Sequence, residues 1–157
     1  MEYAFLIYVE DFLNFVKFIE ENSDLKLLSN ENELCYALRN CCKLDIRDEC
    51  RYEPANRSFI PYCLEKYGIN INTILYFWMV NNEDIDSRIW GPETMSLLKT
   101  VMKNFNGDGL LYANGYGVPI MLRKDGTLIV DSNNLSSRVF NFDLLDIPYT
   151  DKVIEDG

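Results

Sequence analysis

The sequence predicts a single α+β domain: a largely antiparallel sheet with a C-terminal three-strand meander, covered on one face by two to three helices. Three observations predict it. Short apolar runs rich in aromatic and β-branched residues alternate with segments whose apolar residues recur at helical spacing. Three strand-like segments near the C-terminus, "DGLLYA", "VPIMLR" and "TLIVD", are separated by "NGYG" and "KDG", connections too short for parallel crossovers. The chain has 157 residues, 48% of them hydrophobic, which matches the size of one domain with its own core. It contains no internal repeat and no low-complexity segment.

The elements follow in order. "YAFLIYV", Tyr3 to Val9, reads as a buried strand. "EDFLNFVKFIEEN" places Phe12, Phe15, Val16 and Ile19 at helical spacing, with Asp11 in the first turn or at the cap. "SNENELCYALRNCC" carries Asn30 and Glu33 at capping-box spacing and predicts a second helix with Leu34, Ala37 and Leu38 inward. Lys43 to Arg57 dissolves into charge and reads as a surface connection with at most one edge strand. Pro61 opens a short helix ending at Gly68, or else marks an edge strand. Asn72 to Val80 is apolar on consecutive positions, so it reads as a strand covered on both sides. Asn81 to Arg88 is a polar, acidic loop.

The clearest helix comes next. Gly91 and Pro92 punctuate its start, with Pro92 suited to the first helical position and Glu93 to the dipole. Met95, Leu98, Met102 and Phe105 form its apolar stripe, and Asn106-Gly107 its stop, with Gly107 left-handed. Asn114-Gly115 and Asp125-Gly126 are hairpin signals, and Gly117 fits a bulge. The tail from Leu135 carries Phe140, Phe142, Leu144, Leu145 and Ile147, which predicts docking followed by fraying.

Charge and composition bound the function. There are 15 basic and 25 acidic residues, a net charge of −10. Such a chain binds phosphate backbones and anionic membranes poorly, so neither nucleic acid nor membrane is an expected partner. A basic protein is. The sequence has no histidine, which removes the commonest general base and metal ligand together. The five cysteines, Cys35, Cys41, Cys42, Cys50 and Cys63, are odd in number and come without a secretory leader, which predicts free thiols in a cytoplasmic protein.

The motif candidates mostly reduce to structure. Asn104, Asn106, Asp108, Gly109 and Leu111 match part of a calcium loop, but its twelfth position is Gly115, which offers no carboxylate. The glycines that follow come after a helix and before strands, the reverse of a dinucleotide fingerprint. Adjacent Cys41-Cys42 do not fit the paired spacing of a zinc site, so the cysteines read as structural thiols. No cofactor, metal or catalytic set is expected. The remaining site candidates are acidic: Glu83, Asp84 and Asp86 in one loop, and Asp45, Asp48 and Glu49 in another. They form either solvated faces or a patch for a basic partner. Trp90 beside the first loop is either an interface anchor or packing over the helix start.

One stretch carries a family likeness. "ETMSLLKTVMKNFNGDGLLYANGYGVPIMLRKDGTLIVDSNN" resembles the C-terminal half of bacterial immunity proteins of the Sit social-exclusion toxin systems, in the third Sit immunity family. The matching features are an amphipathic helix, Gly107-Asp108, a short strand, Asn114-Gly115, a strand ending in Leu122-Arg123, the Gly126 turn and a last strand. "MEYAFLIYVED" resembles the family's first strand. The extra Gly117 and the segment 35–63 depart from the pattern. The resemblance implies an immunity protein that binds and neutralises a contact-delivered toxin stoichiometrically. Such toxins, when they attack nucleic acid, tend to be basic. The alternatives are a small carboxylate-dependent enzyme or ligand-binding domain, marked by a pocket holding a shifted carboxyl, and a subunit of a larger assembly, marked by a large exposed apolar patch.

Overall fold

A computed structural model describes residues 2–30, 34–39, 42–51, 59–79, 87–113 and 119–154. Within them the chain forms β1 (Glu2–Ile7), α1 (Phe12–Asn22), β2 (Leu25–Ser29), β3 (Leu34–Leu38), β4 (Cys42–Asp48), α2 (Phe59–Tyr67), β5 (Thr73–Met79), α3 (Ser87–Asn104), β6 (Gly109–Ala113), β7 (Pro119–Lys124), β8 (Thr127–Val130) and β9 (Thr150–Asp151). Short 3-10 turns cover Glu49–Arg51, Leu135–Ser137 and Phe142–Leu145. The strands form one nine-stranded sheet in the order β2-β3-β4-β5-β1-β6-β7-β8-β9. Every pairing is antiparallel except β8 with β9. The fold is therefore α+β, with β6, β7 and β8 as the expected meander. No described helix is long and apolar enough to cross a membrane.

β1 is central because its sequence has no polar position after Glu2 to turn toward water. Tyr3, Phe5 and Ile7 enter one core, and Ala4 and Leu6 enter another on the opposite face. The first core lies under α1 and α3, through Phe15, Val16 and Ile19 of one helix and Met95, Leu98, Val101 and Met102 of the other. The second lies under α2, through Cys63 and Tyr67, joined by Ile69, Ile71 and Ile74. Helices thus cover both faces of the sheet, not one. The continuous apolar run of β5 already required cover on both sides, and α2 supplies the second.

α1 starts at Asp11, whose carboxylate accepts the Asn14 N–H at 3.1 Å. The segment from Pro61 to Gly68 is the helix of the two alternatives, but α2 starts at Phe59, so Pro61 is its third residue and does not open it. Gly68 takes φ +68, and its N–H donates to the Leu64 carbonyl at 3.0 Å. Asp125 and Gly126 have φ of 51 and 79, the left-handed pair that turns β7 into β8.

Four expectations need correction. The segment read as a second helix is strand β3, preceded by the unforeseen strand β2. Leu34, Tyr36 and Leu38 share the core face at period two, where Leu34, Ala37 and Leu38 had matched a helix; Glu33 of the expected capping box lies outside the described residues. Of the charged connection, residues 52–57 lie outside the described residues, and its start, Lys43 to Asp48, belongs to β4, an interior strand between β3 and β5 and not an edge. Its Cys42, Leu44 and Ile46 are buried while the charged residues alternate with them. α3 begins at Ser87, so Pro92 is inside the helix and not at its first position. Gly91 is buried there because a Cβ would stand 2.4 Å from the Val139 carbonyl oxygen.

The fourth correction concerns the end of α3. Gly107 is not among the described glycines with positive φ. It is needed because a Cβ would stand 2.1 Å from the Tyr8 carbonyl oxygen. The helix is closed instead by Arg123 from β7. Its Nε, Nη1 and Nη2 donate to the carbonyls of Gly107 (2.9 Å), Met102 (2.8 Å) and Phe105 (2.5 Å). A planar guanidinium satisfies the Met102 carbonyl, which the helix end leaves without an intrahelical partner, together with two carbonyls of the segment that follows, and its charge complements the helix dipole.

The tail docks as expected. Phe140 packs edge-on to Tyr3 with ring centroids 4.8 Å apart and to Trp90 at 6.0 Å, and Lys103 reaches Asp146 at 2.6 Å. It then adds β9, which the sequence did not announce. The expected fraying at 155–157, the Asn114-Gly115 turn and Gly117 lie outside the described residues.

Arg123→Lys is expected to lower stability by roughly 2–3 kcal/mol, because one ammonium cannot reach three diverging carbonyls. Gly107→Ala should cost about 1–3 kcal/mol through overlap with Tyr8. Urea unfolding midpoints at constant m-value measure both.

Candidate functional site

The predicted site residues divide into three groups. Glu83, Asp84 and Asp86 lie outside the described residues. Trp90 is in the core, 6% exposed, with its ring 5.8 Å from Tyr3 and 6.0 Å from Phe140. The helical phase of α3 turns it inward while Arg88 and Ile89 stay exposed, so it offers no surface to a partner. Asp45 lies within β4, Asp48 is its last residue and Glu49 opens the 3-10 turn that follows.

These three carboxylates do different things. Asp45 is partly buried on the α2 face of the sheet, opposite Tyr76, and accepts the Trp78 indole N–H at 2.8 Å. Asp48 organises the 3-10 turn: it accepts the Cys50 N–H at 3.1 Å and faces Arg51 at 3.3 Å. Glu49 is 1% exposed and cannot meet a partner. One of its oxygens takes the Arg47 Nε–H at 2.9 Å and the other the Phe59 N–H, the first of α2, at 2.8 Å. Arg47 also lies 5.0 Å from the Tyr76 ring centroid and donates to its hydroxyl at 3.0 Å. Glu49 therefore neutralises a half-buried cation and holds the start of a helix. The acidic loop expected on the surface is half strand and half buried ion pair.

What remains exposed here is a small mixed patch. Trp78 is 37% exposed, fixed in orientation by Asp45, with Lys43 directly opposite it on β4. The period-two face of β4 and β5 brings these side chains together. Trp78 was read as core because its strand is apolar throughout.

Two further grooves carry carboxylates. One, of about 450 Å³, runs between the end of α1, the end of β3 and α3, lined in part by Glu21, Ser23, Asp24, Arg39 and Glu93. Arg39, at φ 45, bridges Asp24 at 3.4 Å and Glu93 at 3.3 Å. Two carboxylates thus share one cation, and Glu21 lines the same groove. Beside it, Tyr36 donates to Glu20, and burial, then that bond, pushes the phenol pKa up. A second groove, of about 580 Å³, lies between Tyr8–Asp11 and Asn104–Gly107. The residues that resembled a calcium loop stand there or next to it. Asp108 accepts the Asp125 N–H at 3.0 Å, and Asn104 donates to the Thr100 carbonyl at 2.7 Å, so both close turns.

Among the described residues no group of three or more Cys, Asp or Glu is placed to hold a metal ion. The four described cysteines are thiols and not disulfides: Cys42 and Cys63 are buried, Cys35 is partly buried and Cys50 is exposed. Burial, with Glu49 nearby, pushes the Cys63 thiol up to about 12. Burial and then the charges of Asp48 and Glu49 raise that of Cys50. Asp146 and Asp151 are held below the usual carboxylate range by hydrogen bonds from Lys103 and Ser132 respectively.

No family model, curated protein or solved structure matches this chain.

Among the described thiols, iodoacetamide at pH 8 is expected to modify Cys50 first, more slowly than an unhindered cysteine and faster as pH rises, because only the thiolate reacts. Cys42 and Cys63 should react only on unfolding, as read by peptide mass spectrometry. Glu49→Ala leaves Arg47 without its buried counter-charge and should cost about 3–5 kcal/mol in urea unfolding.

Proposed function

We propose that this chain is an immunity-type protein, which binds and neutralises one cognate bacterial toxin by stoichiometric contact. The toxin is basic, a contact-delivered nuclease. The observation that carries the reading is the groove at the end of α1. There Glu21, Asp24 and Glu93 line one groove with Arg39, which pairs with Asp24 and Glu93, on a chain of net charge −10. Such a surface steers a cationic partner during encounter and imitates the spaced negative charge of a phosphate backbone. The likeness of residues 93–134 to a Sit immunity family supports the same reading.

Co-purification with the toxin domain encoded by the neighbouring upstream gene tests the proposal. A one-to-one complex is expected, with nuclease activity abolished at equivalence. Association should slow by about tenfold or more between low and high salt. Reversing Glu21, Asp24 and Glu93 together is expected to slow it further, and reversing Glu83, Asp84 and Asp86 asks the same of the other acidic loop. An unaltered affinity and salt dependence removes the loop concerned from the interface. Absence of any binding to the neighbour-encoded domain overturns the reading.

A further inference from the structure

A nine-stranded open sheet has two edges, and this one treats them differently. β9 closes one with only two residues. β2 closes the other with five, of which Lys26, Leu27, Leu28 and Ser29 are exposed. Leu27 and Leu28 are each 48% exposed. Long apolar edges promote pairing with other chains, and proteins usually shorten, bulge or charge them. Here a register shift after Leu27 and the single charge of Lys26 are the devices present.

The ladder's phase shows which backbone groups are offered. The Arg39 N–H donates to the Asp24 carbonyl at 3.3 Å, and the β2–β3 register pairs Leu25 with Leu38 and Lys26 with Ala37. In an antiparallel ladder, bonded and non-bonded pairs alternate. Asp24 and Lys26 therefore turn their backbone groups toward β3, and Leu25 and Leu27 turn theirs outward. The Leu25 N–H is already taken by the Ser23 carbonyl at 3.0 Å. Leu27 keeps both an outward N–H and an outward C=O.

The surroundings choose the occupant. Exposed Glu20, Glu21 and Asp24 flank the start of the strand, and Glu93 lines the groove that opens beside it. Against them stand Lys26 and Arg39, and Arg39 is held by Asp24 and Glu93. A second copy of this chain brings another −10 and is repelled.

We propose that β2 is an acceptor edge that takes up a strand of a cationic protein, the added strand bonding to the Leu27 backbone and setting a Lys or Arg side chain in the Glu21–Asp24–Glu93 groove. This rests on the stoichiometric-binding reading and names its surface. Added strands gain affinity from main-chain bonds and specificity from flanking side-chain sites.

Leu27→Pro removes the outward N–H without touching the β2–β3 bonds, whereas Leu27→Ala keeps it. Titration with the neighbour-encoded toxin domain should show Leu27→Pro weakening affinity by about tenfold or more, and Leu27→Ala by much less. A lysine–valine alternating heptapeptide, titrated into the wild-type chain, should slow hydrogen exchange of the Leu27 amide. That second measurement decides the matter if Leu27→Pro fails to fold. Equal toxin affinity of both variants with no protection of Leu27 by either probe overturns the edge and leaves the immunity reading standing. Protection by the peptide without any toxin binding sustains the edge and sinks the immunity reading. Concentration-dependent dimerisation that Leu27→Pro abolishes makes the occupant a second copy and overturns the cationic-strand proposal.

Discussion

The structure depends on β1 being bonded on both sides and buried on both faces. Leu6 stands opposite Ile74 of β5 and Leu110 of β6. Tyr3, Phe5 and Ile7 feed one core while Ala4 and Leu6 feed the other. A one-residue slip would exchange the two sets and damage both cores together. That double penalty fixes the register of β5 and β6, and with it the two halves of the sheet that hang from them.

Two buried charges then tie helices to that frame. Arg123 carries the end of α3 on β7, and Glu49 carries the start of α2 on the end of β4. Each ion is costly to desolvate, and each is offset by several directed bonds: three carbonyls for the guanidinium, an arginine and a helix N–H for the carboxylate. They act at opposite ends of helix dipoles, cation at the C-terminus and anion at the N-terminus, which is the favourable sense in both cases. Apolar packing places the helices over the sheet, and these ions set where along it they begin and end.

The parts of the fold that were legible in the sequence are those where one pattern dominates. β1, α1, β5 and the β6–β8 meander have long apolar runs or unambiguous turn dipeptides. The stretch from Leu25 to Asp48 was not legible. Leu34, Ala37 and Leu38 suit a helix as well as Leu34, Tyr36 and Leu38 suit a strand, and a five-residue segment cannot separate the two periods. In β4 the charges of Lys43, Asp45 and Arg47 masked a period-two apolar face. Gly107 was read through its conformation, whereas its role is clearance for Tyr8, a contact about a hundred residues away in sequence that no local rule reports. The same limit governs the site. Charge alone pointed to acidic surfaces, but Arg47 and Phe59 turned Glu49 inward, and the packing of Tyr3 and Phe140 did so for Trp90. Trp78, and the groove that gathers Glu21, Asp24 and Glu93 from α1, its following turn and α3, required the tertiary fold.

The central place of β1 has a consequence for synthesis. It is made well before its partners: Glu2 pairs with Trp78, and Tyr3 with Ala113. Until the ribosome has released those strands, this apolar segment has no native edge to join. Its loop-closure cost falls early and its reward late, which slows folding and lengthens the time for which "YAFLI" is open to other chains. The strand that gives the finished molecule its register is thus the one whose nascent form most needs shelter.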